Sequence, residues 1–219
     1  LVQHASNLYY TRPQAELAAL LCERTGAKKV FFSNSGAEAN ECAIKAARKY
    51  SYDRYGEGRF HIVTLKNSFH GRTMATLSAT GQDVMHRFFM PFLEGFSYAE
   101  PTAASVRAHC SDKTCAVLLE LVQGEGGVRP LDKEEVRAIE RYCKKNDILL
   151  MIDEVQTGNG RTGTLYAYEQ YEIHPDVVTT AKGLAGGLPL GATMFFEKCE
   201  HTLGAGDHGS TFGGNPIAC

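Results

Sequence analysis

Two residues of the 219-residue chain, Lys182 and Asp153, have a type and placement that could do covalent chemistry. Lys182 follows the apolar run DVVTTA (176–181) and precedes GLAGG. A lysine just past a buried strand, in a glycine-lined turn, can be desolvated, which favours the neutral and nucleophilic amine. Asp153 closes the apolar part of IDEV, where a buried carboxylate needs a cationic partner to offset its desolvation. The protonated ring nitrogen of a bound heterocycle would be such a partner. At successive strand ends the two side chains would serve one ligand. The ordinary alternatives are a solvated turn lysine and a carboxylate that caps a helix or closes a salt bridge.

Three further segments could bind parts of that ligand. In SNSGAEAN (33–40), Ser35 and Gly36 stand where a helix begins, so unpaired N–H groups and the helix dipole could hold a phosphate, unless Ser35 is only a helix cap. In NSFHGRT (67–73), Phe69 could offer a face to a flat ring and Arg72 a planar fork to a carboxylate. The plainer reading is a core phenylalanine and a solvated arginine. In VQGEGGVRP (122–130), Glu125 lies among glycines that let a ligand approach closely, although a turn glutamate facing water has the same sequence.

The elements that would position these residues alternate. Pro13 and the apolar positions Leu17, Leu20 and Leu21 predict a first helix closed by Gly26. A second runs from Ala37 to about Tyr55, with Ala39, Ala43, Ala46 and Ala47 on one small-residue face. Strands are predicted at 28–32, 61–66, 116–122, 148–155, 176–181 and 191–196, with a crossover helix at 132–146. Their continuous apolar character implies cover on both faces, hence one α/β domain with a largely parallel sheet.

Composition narrows the function. With 43% hydrophobic and 22% charged residues the chain can bury a full core, and a net charge of −2 gives no basic footprint for nucleic acid. No apolar run approaches the roughly 18 residues of a membrane helix. Seven scattered cysteines lack metal-site spacing, so no metal is predicted and reduced thiols in the cytoplasm are expected. No G-x-G-x-x-G opens a helix after the first strand, which argues against a nucleotide-dependent dehydrogenase. Leu1 without a preceding methionine, and a helix expected to start at Asn215 and Pro216, suggest a piece of a longer chain.

Six motifs in order, SNSGAEAN, SFHGRT, QGEGG, DEVQTGNGRTG, AKGLAGGLPLGA and GSTFGGNP, resemble the class III, ornithine-type aminotransferases that use pyridoxal 5'-phosphate. The resemblance implies the large domain of the fold type I architecture over 1–219, without the family's amino-terminal segment and carboxyl-terminal small domain. It implies Lys182 as the amine that joins the cofactor and later moves a proton, and Asp153 as the partner of the pyridine nitrogen. Ser35, Gly36 and Ala37 match the phosphate cup, Phe69 and Val155 the two ring contacts, and Gln156 the residue near the phenolic oxygen. Thr211 matches a threonine that reaches the neighbouring subunit's phosphate, which implies a homodimer. Arg72, Glu125 and Tyr10 match substrate-side residues: Arg72 for the distal carboxylate, Glu125 for the acid that masks a second arginine.

The stretch from SNLYY to ARKY is most similar to the acetylornithine branch. That implies transfer of the side-chain amino group of N-acetylornithine to 2-oxoglutarate, as in arginine biosynthesis. Donors such as ornithine, succinylornithine, 4-aminobutyrate or a diamine stay open. So does a different class of function, a non-catalytic module that binds cofactor and dimerises.

Overall fold

The computed structural model describes residues 3–6 and 8–219. Helix α1 (Arg12–Thr25) leads to strand β1 (Lys29–Ser33), α2 (Gly36–Tyr55), β2 (His61–Leu65) and α3 (Met74–Ala79). Then follow β3 (Phe96–Ala99), α4 (Ala103–His109), β4 (Thr114–Leu119), and the short pair β5 (Val122–Gln123) and β6 (Arg129–Pro130). The chain continues through α5 (Lys133–Lys145), β7 (Leu149–Asp153), α6 (Tyr168–Tyr171), β8 (Val177–Thr180) and β9 (Gly191–Phe195).

Among the described residues, one seven-stranded sheet has the order β1-β9-β8-β7-β4-β2-β3. Every pairing is parallel except those of β9, which runs against both β8 and β1. The carboxyl ends of β1, β2, β3, β4, β7 and β8 therefore share one edge with the amino end of β9.

Both faces are covered. Alternate residues of the central strands, such as Leu150 and Ile152 against Leu149 and Met151, enter two separate apolar clusters, one including α1, α4 and α5 and the other α2. This explains the continuous apolar runs of the sequence. The small-residue face of α2 lets that helix lie close to the sheet, with Ala39, Ala43, Ala46 and Ala47 fully buried. Ordinary terminal chemistry sets the helix limits: Gly26 closes α1 at φ 79°, and the Asp132 side chain accepts from Glu134 N and Glu135 N at the start of α5.

Three expectations change. The predicted strand 116–122 ends at Leu119, and Val122 instead pairs antiparallel with Pro130 in a separate hairpin. Strand β3 lay hidden because EGFSYAE has no apolar run; it is an edge strand, buried only at Ala99. At Asn215 a turn forms in which the side-chain Oδ1 accepts from Ile217 N and Ala218 N, the hydrogen-bonding of a helix start without a helix. No helix among the described residues is long and apolar enough to cross a membrane, and the seven cysteines are unpaired.

Gly191, at the amino end of β9, ties the sheet to the loop after β1. A Cβ there would lie 2.3 Å from the Ser35 carbonyl oxygen, a backbone atom that cannot swing away. Gly191→Ala should therefore displace the 33–36 loop and lower stability by about 1–3 kcal/mol in urea unfolding. Wild-type stability in that variant would contradict the packing.

Candidate active site

At the shared edge a cavity of about 450 Å³ opens. It is lined by Ser35, Gly36, Ala37, Phe69, Arg72, Glu125, Asp153, Val155, Gln156 and Lys182, ten of the twelve residues marked in the sequence. Tyr10 is not among them. It is 98% exposed. Thr211 lines a different depression, with Ser33, Glu38 and Phe212.

Asp153 ends β7 near the middle of the sheet and is 4% exposed. Its Oδ2 accepts from Asn40 Nδ2 and from His70 Nδ1, both at 2.8 Å, and its Oδ1 from Val155 N at 3.0 Å. A carboxylate only accepts, so His70 carries its proton on Nδ1 in this contact. Asn40 is itself fixed by donating to the His70 carbonyl at 2.8 Å and accepting from Thr179 Oγ1 at 2.7 Å. Its neighbour Glu154 has a different task. Buried away from the cavity, it accepts from Thr157 Oγ1 and from Tyr168 N, which fastens the loop after β7 to α6. Burial raises its pKa, while those hydrogen bonds oppose the rise.

Lys182 starts the 3-10 turn Lys182–Ala185 beyond β8, and its Nζ donates to Gln156 Oε1. It is exposed rather than desolvated, because this turn lifts it off the strand end into the open cavity beside Gly183, Gly186 and Gly187. What marks Lys182 instead is its backbone. A φ of 44° is left-handed, a conformation costing a non-glycine residue about 1–2 kcal/mol. Asn159 braces the preceding residues, donating from Nδ2 to Thr180 Oγ1 at 2.9 Å and to the Ala181 carbonyl at 3.1 Å.

Ser35 caps the 20-residue α2, its Oγ accepting from Glu38 N at 3.2 Å. The hydroxyl proton is not used in that bond. The N–H groups of Gly36 and Ala37 belong to the first turn, where no preceding helical carbonyl exists to accept them. Capping and anion binding are thus compatible here. The Arg72 guanidinium lies 5.7 Å from the Phe69 ring centroid, and Glu125 faces the same cavity from the β5–β6 turn.

Asn40, His70 and Glu120 escaped the sequence reading. Asn40 had a usable signal, as the polar residue on the alanine face of α2. His70 lay unmarked between Phe69 and Arg72. Glu120 directly follows β4, inside a run that reads as strand; it is 5% exposed and accepts from Phe69 N at 2.7 Å. Burial pushes its carboxyl up to about 7; Asp153 adds to the rise, and His70 with the amides of Phe69 and Gly124 opposes it.

The site thus offers a primary amine, a buried carboxylate with oriented donors, apolar walls at Phe69 and Val155, and free first-turn amides. That set fits a flat nitrogen heterocycle bearing a carbonyl and a phosphate. Comparison with known proteins agrees. The sequence matches the class-III aminotransferases over residues 1–219. It is 56% identical to the acetylornithine aminotransferase of Haemophilus ducreyi over 220 residues, covering 100% of this chain and 56% of that protein. It is 48% identical to the succinylornithine transaminase of Citrobacter koseri, covering 98% and 53%. Among solved structures, the ornithine aminotransferase of Toxoplasma gondii, with partial occupancy of PLP at its active site, superposes with a TM-score of 0.93 at 32% identity, covering 99% of this chain and 52% of that one. The chain spans about half the length of the relatives it matches.

Asn40→Ala would strip Asp153 and Thr179 of buried partners at once. It should lower stability by about 2–3 kcal/mol, measured by denaturant unfolding. A loss no larger than that of an exposed alanine substitution would show that the network is not stabilising.

Proposed function

The chain belongs to the class-III aminotransferases, and from that premise we propose that it is the cofactor-binding large domain of a longer pyridoxal phosphate-dependent enzyme. That enzyme moves the side-chain amino group of N-acetylornithine to 2-oxoglutarate, yielding N-acetylglutamate semialdehyde and glutamate. The observation that carries the reading is the meeting of Lys182, Asp153 and the α2 amino terminus in one cavity.

When bound, pyridoxal phosphate supplies a ring that accepts the electron pair left on a carbon losing a proton. The protein does the rest. The Lys182 amine would hold the cofactor at its carbonyl group, and the same nitrogen, when free, would take and return the proton of the amine-bearing substrate carbon. Gln156, already paired with Lys182, stands beside that amine. Asp153 keeps the ring nitrogen protonated, while His70 and Asn40 hold its carboxylate in place. Ser35 and the amides of Gly36 and Ala37 receive the phosphate. Phe69 and Val155, both lining the cavity, would flank the ring and exclude water from its faces.

Arg72 binds the carboxylate at the far end of either substrate, and Glu125 neutralises a second arginine contributed by the rest of the enzyme. Thr211, outside the cavity of its own chain, serves the neighbouring subunit of a homodimer. A cytoplasmic enzyme of arginine biosynthesis accords with seven unpaired cysteines. The similarity to a succinylornithine transaminase supports a second reading in which the acyl group is larger. Half-length coverage also leaves a reading in which this domain alone binds cofactor without turnover.

Pyridoxal phosphate bound to the protein should give a near-visible absorbance band, and borohydride should fix the cofactor on Lys182. An unchanged spectrum in Lys182→Ala would refute the assignment. The full-length enzyme should process N-acetylornithine faster than N-succinylornithine or 4-aminobutyrate with 2-oxoglutarate as acceptor; an inverted order would replace the proposed donor. Residues 1–219 alone should show the band without turnover, and measurable turnover would sink the module reading.

A further inference from the structure

The cavity's two outer loops, one carrying Phe69 and Arg72 and the other Glu125, do not belong to the sheet, yet three contacts join them. Gln123 Nε2 donates to the Lys66 carbonyl at 2.9 Å. Gly126 packs so closely on the Asn67 carbonyl that a Cβ there would come within 2.5 Å of it. The third contact is Glu120, whose Oε1 accepts from Phe69 N at 2.7 Å while the Gly124 amide also favours its charged form. Of the three, only Glu120 can change charge. It lines the cavity, it is almost fully buried, and the mechanism above does not use it.

We propose that Glu120 is a positioning residue: its carboxylate holds the Phe69 loop and the 124–127 turn at a fixed separation beside Asp153, and taking up a proton loosens that hold. The proposal rests on Phe69 being a wall of the cofactor site. The charged form makes the stronger, charge-assisted hydrogen bond to the Phe69 amide, whereas the neutral acid keeps a weaker one. The ionisable groups facing Glu120 are His70, from the loop after β2, and Asp153, from the end of β7. Arg72, Glu125 and Lys182 share the cavity.

The carboxyl titrates at about 7 in the folded protein, above its ordinary value, so the change falls near neutral pH. The sign for stability is opposite to that for binding. A raised carboxyl favours the folded state below the ordinary pKa, and that contribution is lost as pH rises through about 7. The charged carboxylate is thus kept at a cost to the fold, as expected where charge serves the site.

The test is a titration of the full-length apoprotein with pyridoxal phosphate, followed by absorbance, between about pH 6 and pH 8. Affinities of the wild type and the nearly isosteric Glu120→Gln are compared as a ratio, which cancels every titration they share. The ratio of wild-type to variant affinity should rise about tenfold across the window. A constant ratio overturns the role of Glu120 and leaves the cofactor site intact, whereas a wild type that binds no cofactor overturns the site itself. An infrared pH titration of the wild type does not depend on the variant folding. It should show a buried carboxylic C=O band that vanishes through about pH 7; a carboxyl already fully ionised at pH 6 contradicts the proposal.

Discussion

A carboxylate held 4% exposed at the centre of a parallel sheet is the constraint around which this molecule is arranged. Removing an ion from water costs several kcal/mol unless donors or a countercharge replace the lost solvent. Asp153 obtains its donors from three separate elements: Asn40 on α2, His70 after β2 and Val155 beyond β7 itself. Each requirement spreads outward. Asn40 can reach only because the alanine face brings α2 onto the sheet, and it stays oriented because Thr179 on β8 donates to it. The acidic group at the bottom of the site therefore fixes the register of its surroundings, and in the proposed function a cationic ring nitrogen would complete its compensation.

Topology supplies the rest of the geometry. Reversing β9 while keeping all other strands parallel collects six strand ends and one strand start on a single edge. The ends differ in rigidity. Asp153 is locked by hydrogen bonds within the sheet, whereas Lys182 stands in an open turn with a left-handed backbone braced by Asn159. This division suits the two tasks. In the proposed function the carboxylate would keep a fixed position against a ring nitrogen, whereas the amine would have to move, which an exposed side chain on a strained turn permits.

The sheet was legible because strands buried on both faces read as unbroken apolar runs, and of the ten marked residues that line the cavity, those such as Asp153, Lys182 and Ser35 stood out at strand ends and a helix start, whereas Ala37, Val155 and Gln156 came only from the family resemblance. The remainder depended on distance in space. Glu120 follows β4 directly, and in the sequence it is one more residue of a strand; only its contact with the Phe69 amide, 51 positions away, gives it a task. His70 and Asn40 likewise gain meaning only where they converge on Asp153. Lys182 was expected to be desolvated from its place after a buried strand, but one turn of 3-10 helix suffices to expose it. Tyr10 rested on the family resemblance alone, with no periodicity or packing signal to support it, and it does not line the cavity.

The central claim is that Asp153, held by His70 and Asn40, keeps the nitrogen of a bound pyridine ring protonated. Nitrogen-15 NMR of the full-length protein loaded with ring-labelled pyridoxal phosphate reads that proton directly. The wild type should show the chemical shift of a pyridinium at mildly alkaline pH, and Asp153→Asn should show that of a neutral pyridine. A neutral ring in the wild type, or a pyridinium that survives the substitution, would contradict the account.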